Sequence, residues 1–245
     1  MKFTLIGVLL VLPLLAQSED AKRRADDIKR IETSAAVLTE IMNARDRSIP
    51  EDLMEKAHCI GIIPDLKRAG FIVGAKYGKG VVTCRVHDSN RWTAPNMVIL
   101  EGGSIGFQIG AGETDVIFAV MNQTGEDKLM RDKFTIGADA TGAVGPLGRE
   151  TQAQTDALMN AEILSWSRSR GVFAGVSLEG ASLRPDNDDN HVIYGPNVTH
   201  REILRNQVTA PPQARALFAE LERYAPKAPR RTGEISEPRL TTAGE

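Results

Sequence analysis

The chain has 245 residues, with 30 Lys plus Arg against 32 Asp plus Glu and a formal net charge of −2. This balance weighs against a global basic field that gathers nucleic acid, and aromatics at 5% weigh against stacking platforms for single strands or sugars. Any charge-driven binding must come from a local patch.

The first segment, MKFTLIGVLLVLPLLAQSED, has one basic residue, an apolar stretch from Phe3 to Ala16, and small residues Ala16 and Ser18 ahead of charge. These are the features of a secretory signal peptide over 1–18. The apolar part is short for a bilayer span, so the mature chain is expected to be exported, periplasmic or secreted, soluble or peripheral to a membrane. The rest suits one domain over 19–208 and a C-terminal helix over 209–225. A tail over 226–245, rich in Pro, Arg, Thr and Glu, is expected to be disordered.

From Glu19 to Arg47 the pattern is helical, with Ala21, Ala25, Ile28, Ile31, Ala35, Leu38 and Ile41 at steps of three and four. Asp26 and Arg30 have the spacing of an ion pair on the wet side. Lys22, Arg23, Lys29 and Arg30 stand among acidic residues, a mixture that favours docking on a core over seeking a membrane. A short helix follows, with Ser48 and Glu51 at capping-box spacing and Pro50 in its first turn.

Between Cys59 and Arg184 short apolar runs closed by glycine repeat: CIGIIP, GFIVGAKYGKGVVTCR, GSIGFQIGAGETDVIFAVMN, FTIGADATGAVGPLG and GVFAGVSLEGASLRP. Four to eight residues rich in Val, Ile and Phe, bounded by Gly, Pro or Asp, read as strands joined by tight turns. Lys76-Tyr77-Gly78-Lys79-Gly80 reads as a hairpin turn, with Lys67 and Arg68 in the connection before its first strand. MVILEGG, SIGFQIGAG and TDVIFAVMN are too apolar to have one wet face. A turn is expected at Asn122–Gly125, a helical turn or two in EDKLMRDKF, a strand after Asn160, and a solvated turn over Arg184–Asn190. HREILRN and PQARALFAELERYA read as C-terminal helices, with Leu217, Leu221 and Tyr224 on one stripe. The predicted fold class is α+β: a β-rich, largely antiparallel sheet, open to barrel-like closure, with N- and C-terminal helices packed on it.

Candidate chemistry is sparse. Gly102-Gly103-Ser104-Ile105-Gly106 matches the G-x-S-x-G elbow of serine hydrolases, but the residues after Ser104 continue as strand where an elbow needs a helix. Gly74, Gly78 and Gly80 around Lys76 and Lys79 fit neither the dinucleotide fingerprint nor the P-loop. Asp186, Asp188, Asp189 and Asn190 resemble the start of a calcium loop but lack its glycine and closing glutamate. Arg168 and Arg170 would share a strand face, either gripping phosphate or paired with Glu162 or Asp156. No catalytic residue, metal or cofactor is therefore expected. Cys59 and Cys84 leave two readings open, a disulfide or two small buried thiols.

In order, AHCIGIIPDLKRAGFIVGAKYGKGVVTCR, WTAPNMVILEGGSIGFQIGAGETDVIFAVMN, KFTIGADATGAVGPLGR and AEILSWSRSRGVFAGVSLEGASLRPDNDDNHVIYG strongly resemble the SYLF domain family, from about Ala36 to about Val208. The resemblance implies a non-enzymatic lipid-binding domain; eukaryotic members bind phosphoinositides, and fungal ones also bind and bundle actin. For an exported chain the implied ligand is an anionic lipid or membrane surface of the cell envelope. The candidate contacts are Lys22, Arg23, Lys29 and Arg30 on the helix and Lys67, Arg68, Lys76 and Lys79 on the hairpin side. The alternatives are an envelope scaffold or protein-interaction module and, more remotely, a hydrolase using Ser104.

Overall fold

The computed structural model describes residues 11–44, 48–70, 73–86, 89–105, 110–148, 160–169 and 172–226. Residues 1–10 of the signal peptide expected over 1–18, and all but the first residue of the tail expected over 226–245, lie outside them. The glycine-closed runs form one nine-stranded sheet: β1 (Cys59–Gly70), β2 (Val73–Cys84), β3 (Asn96–Ile105), β4 (Gly110–Val120), β5 (Phe134–Thr135), β6 (Gly142–Val144), β7 (Ile163–Ser169), β8 (Val172–Gly175) and β9 (Ala181–Pro185). Its order is β5-β9-β3-β2-β1-β4-β7-β6, with β8 paired to β7. Every pairing is antiparallel except β6 with β7.

The order of the edges dictates the shape. In a flat sheet, seven inter-strand steps of ~4.8 Å would put β5 and β6 ~34 Å apart. The seven Cα-to-Cα steps from Thr135 to Gly142 reach ~25 Å even when fully extended. They are also doubled back: Ile136 bridges Ala140, and the Gly137 amide donates to the Ala140 carbonyl at 2.6 Å. The sheet therefore curls into a half-barrel, which agrees with the α+β, barrel-like expectation.

Curling divides the apolar residues between two faces, and this is why the central runs read as apolar throughout. The inner face carries Ile63, Leu66, Val82, Leu100, Val116, Phe118, Phe134, Ile136 and Leu183. The outer face carries Ile60, Ile62, Val81, Ile117 and Trp166 under α1 (Val11–Met42) and α6 (Arg215–Tyr224). Ile31, Ala35, Leu38 and Ile41 of α1 meet Leu217 and Leu221 of α6 in that layer. The apolar stripe of α1 docks only from Asp27 onward, since residues 19–26 are exposed on every side.

Three expectations change. Lys76–Gly80 is not a turn but the middle of β2, where the glycines serve packing: a Cβ on Gly80 would stand 2.1 Å from the Ile62 carbonyl oxygen. Asn122–Gly125 opens a helix, α3 (Gln123–Leu129), because the Asn122 side chain accepts from the Gly125 amide. Asp186–Asn190 does the same: Asp186 caps α4 (Asn187–Tyr194), and Asp189 and Asn190 are buried rather than solvated. The expected strand after Asn160 is β7, and the C-terminal helices are α5 (His200–Leu204) and α6; α2 (Glu51–Lys56) follows Pro50. Cys59 and Cys84 stand directly opposite across β1 and β2 and are joined as a disulfide.

Inside the curl, Phe118 fills the space over Gly61, and a Cβ there would lie 2.0 Å from its ring. Gly61→Ala is therefore expected to cost about 2 kcal/mol by overpacking. Urea denaturation checks this, and adding Phe118→Leu should recover part of the loss. Equal stability of Gly61→Ala and wild type would show that the ring is not confined.

Candidate functional site: two basic clusters on opposite faces of β2

The eight candidate basic residues do not form one patch. Lys76 and Lys79 are three apart on a strand and so point to opposite faces. Lys79 points outward to the helices and Lys76 inward to the curl. Lys67 and Arg68 are divided in the same way. Lys67 is exposed and stands opposite Glu113, while Arg68 shares the inner face with Lys76. Lys22 and Lys29 are exposed on α1, and Arg23 lies 3.6 Å from Asp188.

Arg30 and Lys79 belong to a buried polar latch. Lys79 Nζ stands 2.6 Å from Asp186 and 2.8 Å from Asp189, both at the start of α4. Arg30 bonds Asp27 on its own helix and reaches Asp189 at 3.2 Å, so the expected Asp26–Arg30 pair is replaced by one with the residue beside it. Asp27 and Asp189 are 0% and 1% exposed. The latch holds α1, β2 and α4 together. Arg24 adds to it by donating to the Val192 carbonyl at 2.8 Å, and buried Asn190 accepts from the Met97 amide at 2.8 Å.

Three carboxyls here face two cations. Among the described residues, Asp27 Oδ2 and Asp189 Oδ1 are buried with no hydrogen-bond partner, and the ionisation of each carboxyl acts on the other. Burial, then the charge of Asp189, pushes the Asp27 carboxyl up to about 7, against the pull of Arg30. Burial also opposes ionisation of Asp189, but hydrogen bonds and charge from Lys79 outweigh it and hold that carboxyl below its ordinary value.

Arg68 and Lys76 are in the reverse situation. They stand directly opposite each other across β1 and β2 and are partly buried, with no ion pair to any described residue. Arg68 Nε is buried without an acceptor. Burial lowers the pKa of both, and the Arg68 charge lowers that of Lys76 further. Like charges opposed on one sheet face are destabilising, so this pair is held at a cost.

The remaining candidates are placed elsewhere. Ser104 lies within β3, paired with Gly74, and the chain is again strand from Gly110, so no strand-to-helix elbow stands among the described residues. Arg168 pairs with Asp115 and Glu40, not with Glu162, which is held by Lys128; Arg170 and Asp156 lie outside the described residues. No cluster that could hold a metal is found among the described residues.

Asp27 is not singled out by the sequence reading, and Asp186 and Asp189 are singled out only as a calcium-loop resemblance in a solvated turn, yet each had a signal of its buried place. Asp27 falls on the apolar stripe with Ile31, Ser34, Leu38 and Ile41, a polar residue in a buried position. Asp186 precedes Asp189 by three residues ahead of Val192 and Ile193, the spacing of a helix start.

Two consequences can be measured. Unfolded Asp27 ionises near its ordinary value of 3.8, whereas the folded chain keeps this proton to about pH 7. The native state therefore binds more protons in that window, and the group's contribution to stability falls as pH rises from about 4 to about 7, by at most ~1.4 kcal/mol per unit. Thermal midpoints of Asp27→Asn should thus gain on wild type between pH 5 and 7, and parallel profiles would show that the Asp27 carboxyl is not raised. Lys79→Gln, which leaves buried Asp186 without its cation and Asp189 with Arg30 alone, should cost about 3 kcal/mol. Lys76→Gln relieves repulsion and should leave stability equal or higher by chemical denaturation; a comparable loss in both would mean that Lys76 has a structural partner.

The sequence model of the family Ysc84, described as Las17-binding protein actin regulator, matches residues 101–224, from within β3 to the end of α6. LAS seventeen-binding protein 3 of Saccharomyces cerevisiae is 33% identical over 183 residues, 74% of this chain and 39% of that protein. SH3 domain-containing YSC84-like protein 1 of Homo sapiens is 32% identical over 186 residues, 76% of this chain and 54% of that protein, and the Bos taurus protein of that name matches to the same extent. The chain thus spans about half or less of the curated relatives it matches. With the order of the glycine-closed strands and this agreement over most of its length, the chain belongs to the Ysc84 family, the family of the SYLF domain.

Proposed function

We propose that this protein is an exported, non-enzymatic domain that binds the anionic lipid surface of the cell envelope. The observation that carries the reading is the Arg68–Lys76 pair: two opposed, partly buried cations with no carboxylate partner among the described residues. A fold keeps such a pair against its own stability when something anionic completes it. The exposed Lys22 and Lys29 on α1 add to the attraction, and the leader-like first eighteen residues support export. Arg30 and Lys79 are withdrawn from the contact set, since both are occupied in the latch.

A second reading is a protein-interaction module of the envelope. It is favoured by relatives whose names describe binding to Las17 or carriage of an SH3 domain. Co-sedimentation separates the two. The full chain should pellet with vesicles containing phosphatidylglycerol, more weakly as salt rises, and not with pure phosphatidylcholine. Charge reversal at Lys67, Arg68 and Lys76 together should reduce pelleting at least tenfold. A chain that pellets with neither vesicle, yet retains a stable protein partner from envelope extracts, would replace the first reading with the second.

A further inference from the structure

Resting on the reading that the domain meets an anionic surface, we propose that the inner wall of the half-barrel at the Arg68–Lys76 end is a binding site for a single phosphate group. Register across four strands builds it. On the inner face, one row runs Gly112, Arg68, Lys76, Gly102, from β4 through β1 and β2 to β3. Two residues further toward the strand ends, the next row on that face runs Gly110, Gly70, Gly74, Ser104. Behind the cations, Leu66 and Leu100 continue the apolar interior.

The cations thus have Leu66, Leu100 and Thr114 behind them, Gly112 and Gly102 on the flanking strands, and Gly70 and Gly74 ahead. A Cβ on Gly112 would meet no described atom within 4 Å, so among the described residues the space beside Arg68 is open. On the far side, a Cβ on Gly102 would stand 3.2 Å from Lys76 Cε and 2.8 Å from the Gly180 carbonyl oxygen, so that wall is close and fixes where the lysine lies. Bare backbone around paired cations is the arrangement that lets an oxyanion approach closely. Arginine supplies a planar fork and lysine a point charge, a combination that suits the several oxygens and multiple charge of phosphate. The orphaned Arg68 Nε would gain its acceptor and the like-charge repulsion would be neutralised. A phosphate borne by a lipid headgroup and a free phosphate share this chemistry.

The test titrates the full chain calorimetrically with inorganic phosphate and with glycerol 3-phosphate, and runs phosphatidylglycerol vesicle sedimentation in parallel. The variants are Arg68→Gln, Lys76→Gln and Gly112→Val; the last fills the open space without changing charge. Wild type is expected to bind the soluble phosphates. Each variant is expected to bind at least tenfold more weakly, with the thermal midpoint of Lys76→Gln at or above that of wild type. Parallel loss of vesicle binding supports the site as a headgroup site; vesicle binding retained in the variants supports it as a site for free phosphate, with the membrane held elsewhere. Phosphate binding without any vesicle binding keeps the site and rejects the lipid reading. Vesicle binding without soluble phosphate binding, unchanged in all three variants, overturns the site and leaves the lipid reading standing. Phosphate binding equal in wild type and variants also overturns it.

Discussion

The fold depends on a tether: the few residues that join β5 to β6 hold the two edges of the sheet closer together than a flat sheet would allow. Because the strands must curl to meet it, they acquire an inside and an outside that a flat sheet of the same pairing would lack. Side chains pointing inward converge and compete for room, which is why Gly61, Gly78 and Gly80 stand beneath Phe118, Ile63 and Leu66. Side chains pointing outward diverge and leave a broad apolar surface, and α1 and α6 cover it. α1 and α6 therefore pack on the convex side, and the concave side closes on its own residues together with Leu129 of α3 and Leu204 of α5.

The same division decides the fate of each charge. An outward cation near the helices finds carboxylates, because α1 and α4 both bring acidic residues to the sheet; Lys79 meets Asp186 and Asp189 there. An inward cation near the strand ends has only neighbouring strands to draw on, and the described residues opposite Arg68 and Lys76 on β4 and β3 are glycines. Conditions for burying a charge are met in the first place by carboxylates paired with both cations, and in the second they are not met within the described chain.

Much of this architecture was legible in the sequence, in the order and composition of its runs. Strand identity, the helical ends and the α+β class follow from periodicity and β-branched content. The turns were less legible, because glycine marks both a turn and a close approach. Lys76–Gly80 was read as the first and is the second, and only the register of β1 on β2 separates the two. Asn122 and Asp186 were read as turn residues where they start helices, since the same side-chain acceptor serves both purposes. Of the eight candidate basic residues, the four on α1 are helical as read, whereas Lys67 and Arg68, read in a connection, and Lys76 and Lys79, read in a turn, lie inside β1 and β2. A strand face follows from counting in twos, but which face is inner depends on the curl, and the bulge between Ile63 and Leu66 shifts the count within β1.

That bulge links the two clusters. Without it, the alternation that places Ile60 and Ile62 outward would continue and turn Arg68 outward as well. The interruption at Pro64 and Asp65, with Asp65 at φ 51° and its amide donating to Asp115 at 3.0 Å, resets the alternation so that Leu66 and Arg68 face inward. β2 pairs with this strand on both sides of the bulge, and its Lys76 meets Arg68 only because of the reset. One irregularity in β1 therefore brings two cations together inside the curl, opposite glycines on both neighbouring strands, while Lys79 on β2 remains with the helices. A deletion that restored regular alternation in β1 would be expected to separate the pair and keep the sheet, and this makes the bulge the structural origin of the cation pair.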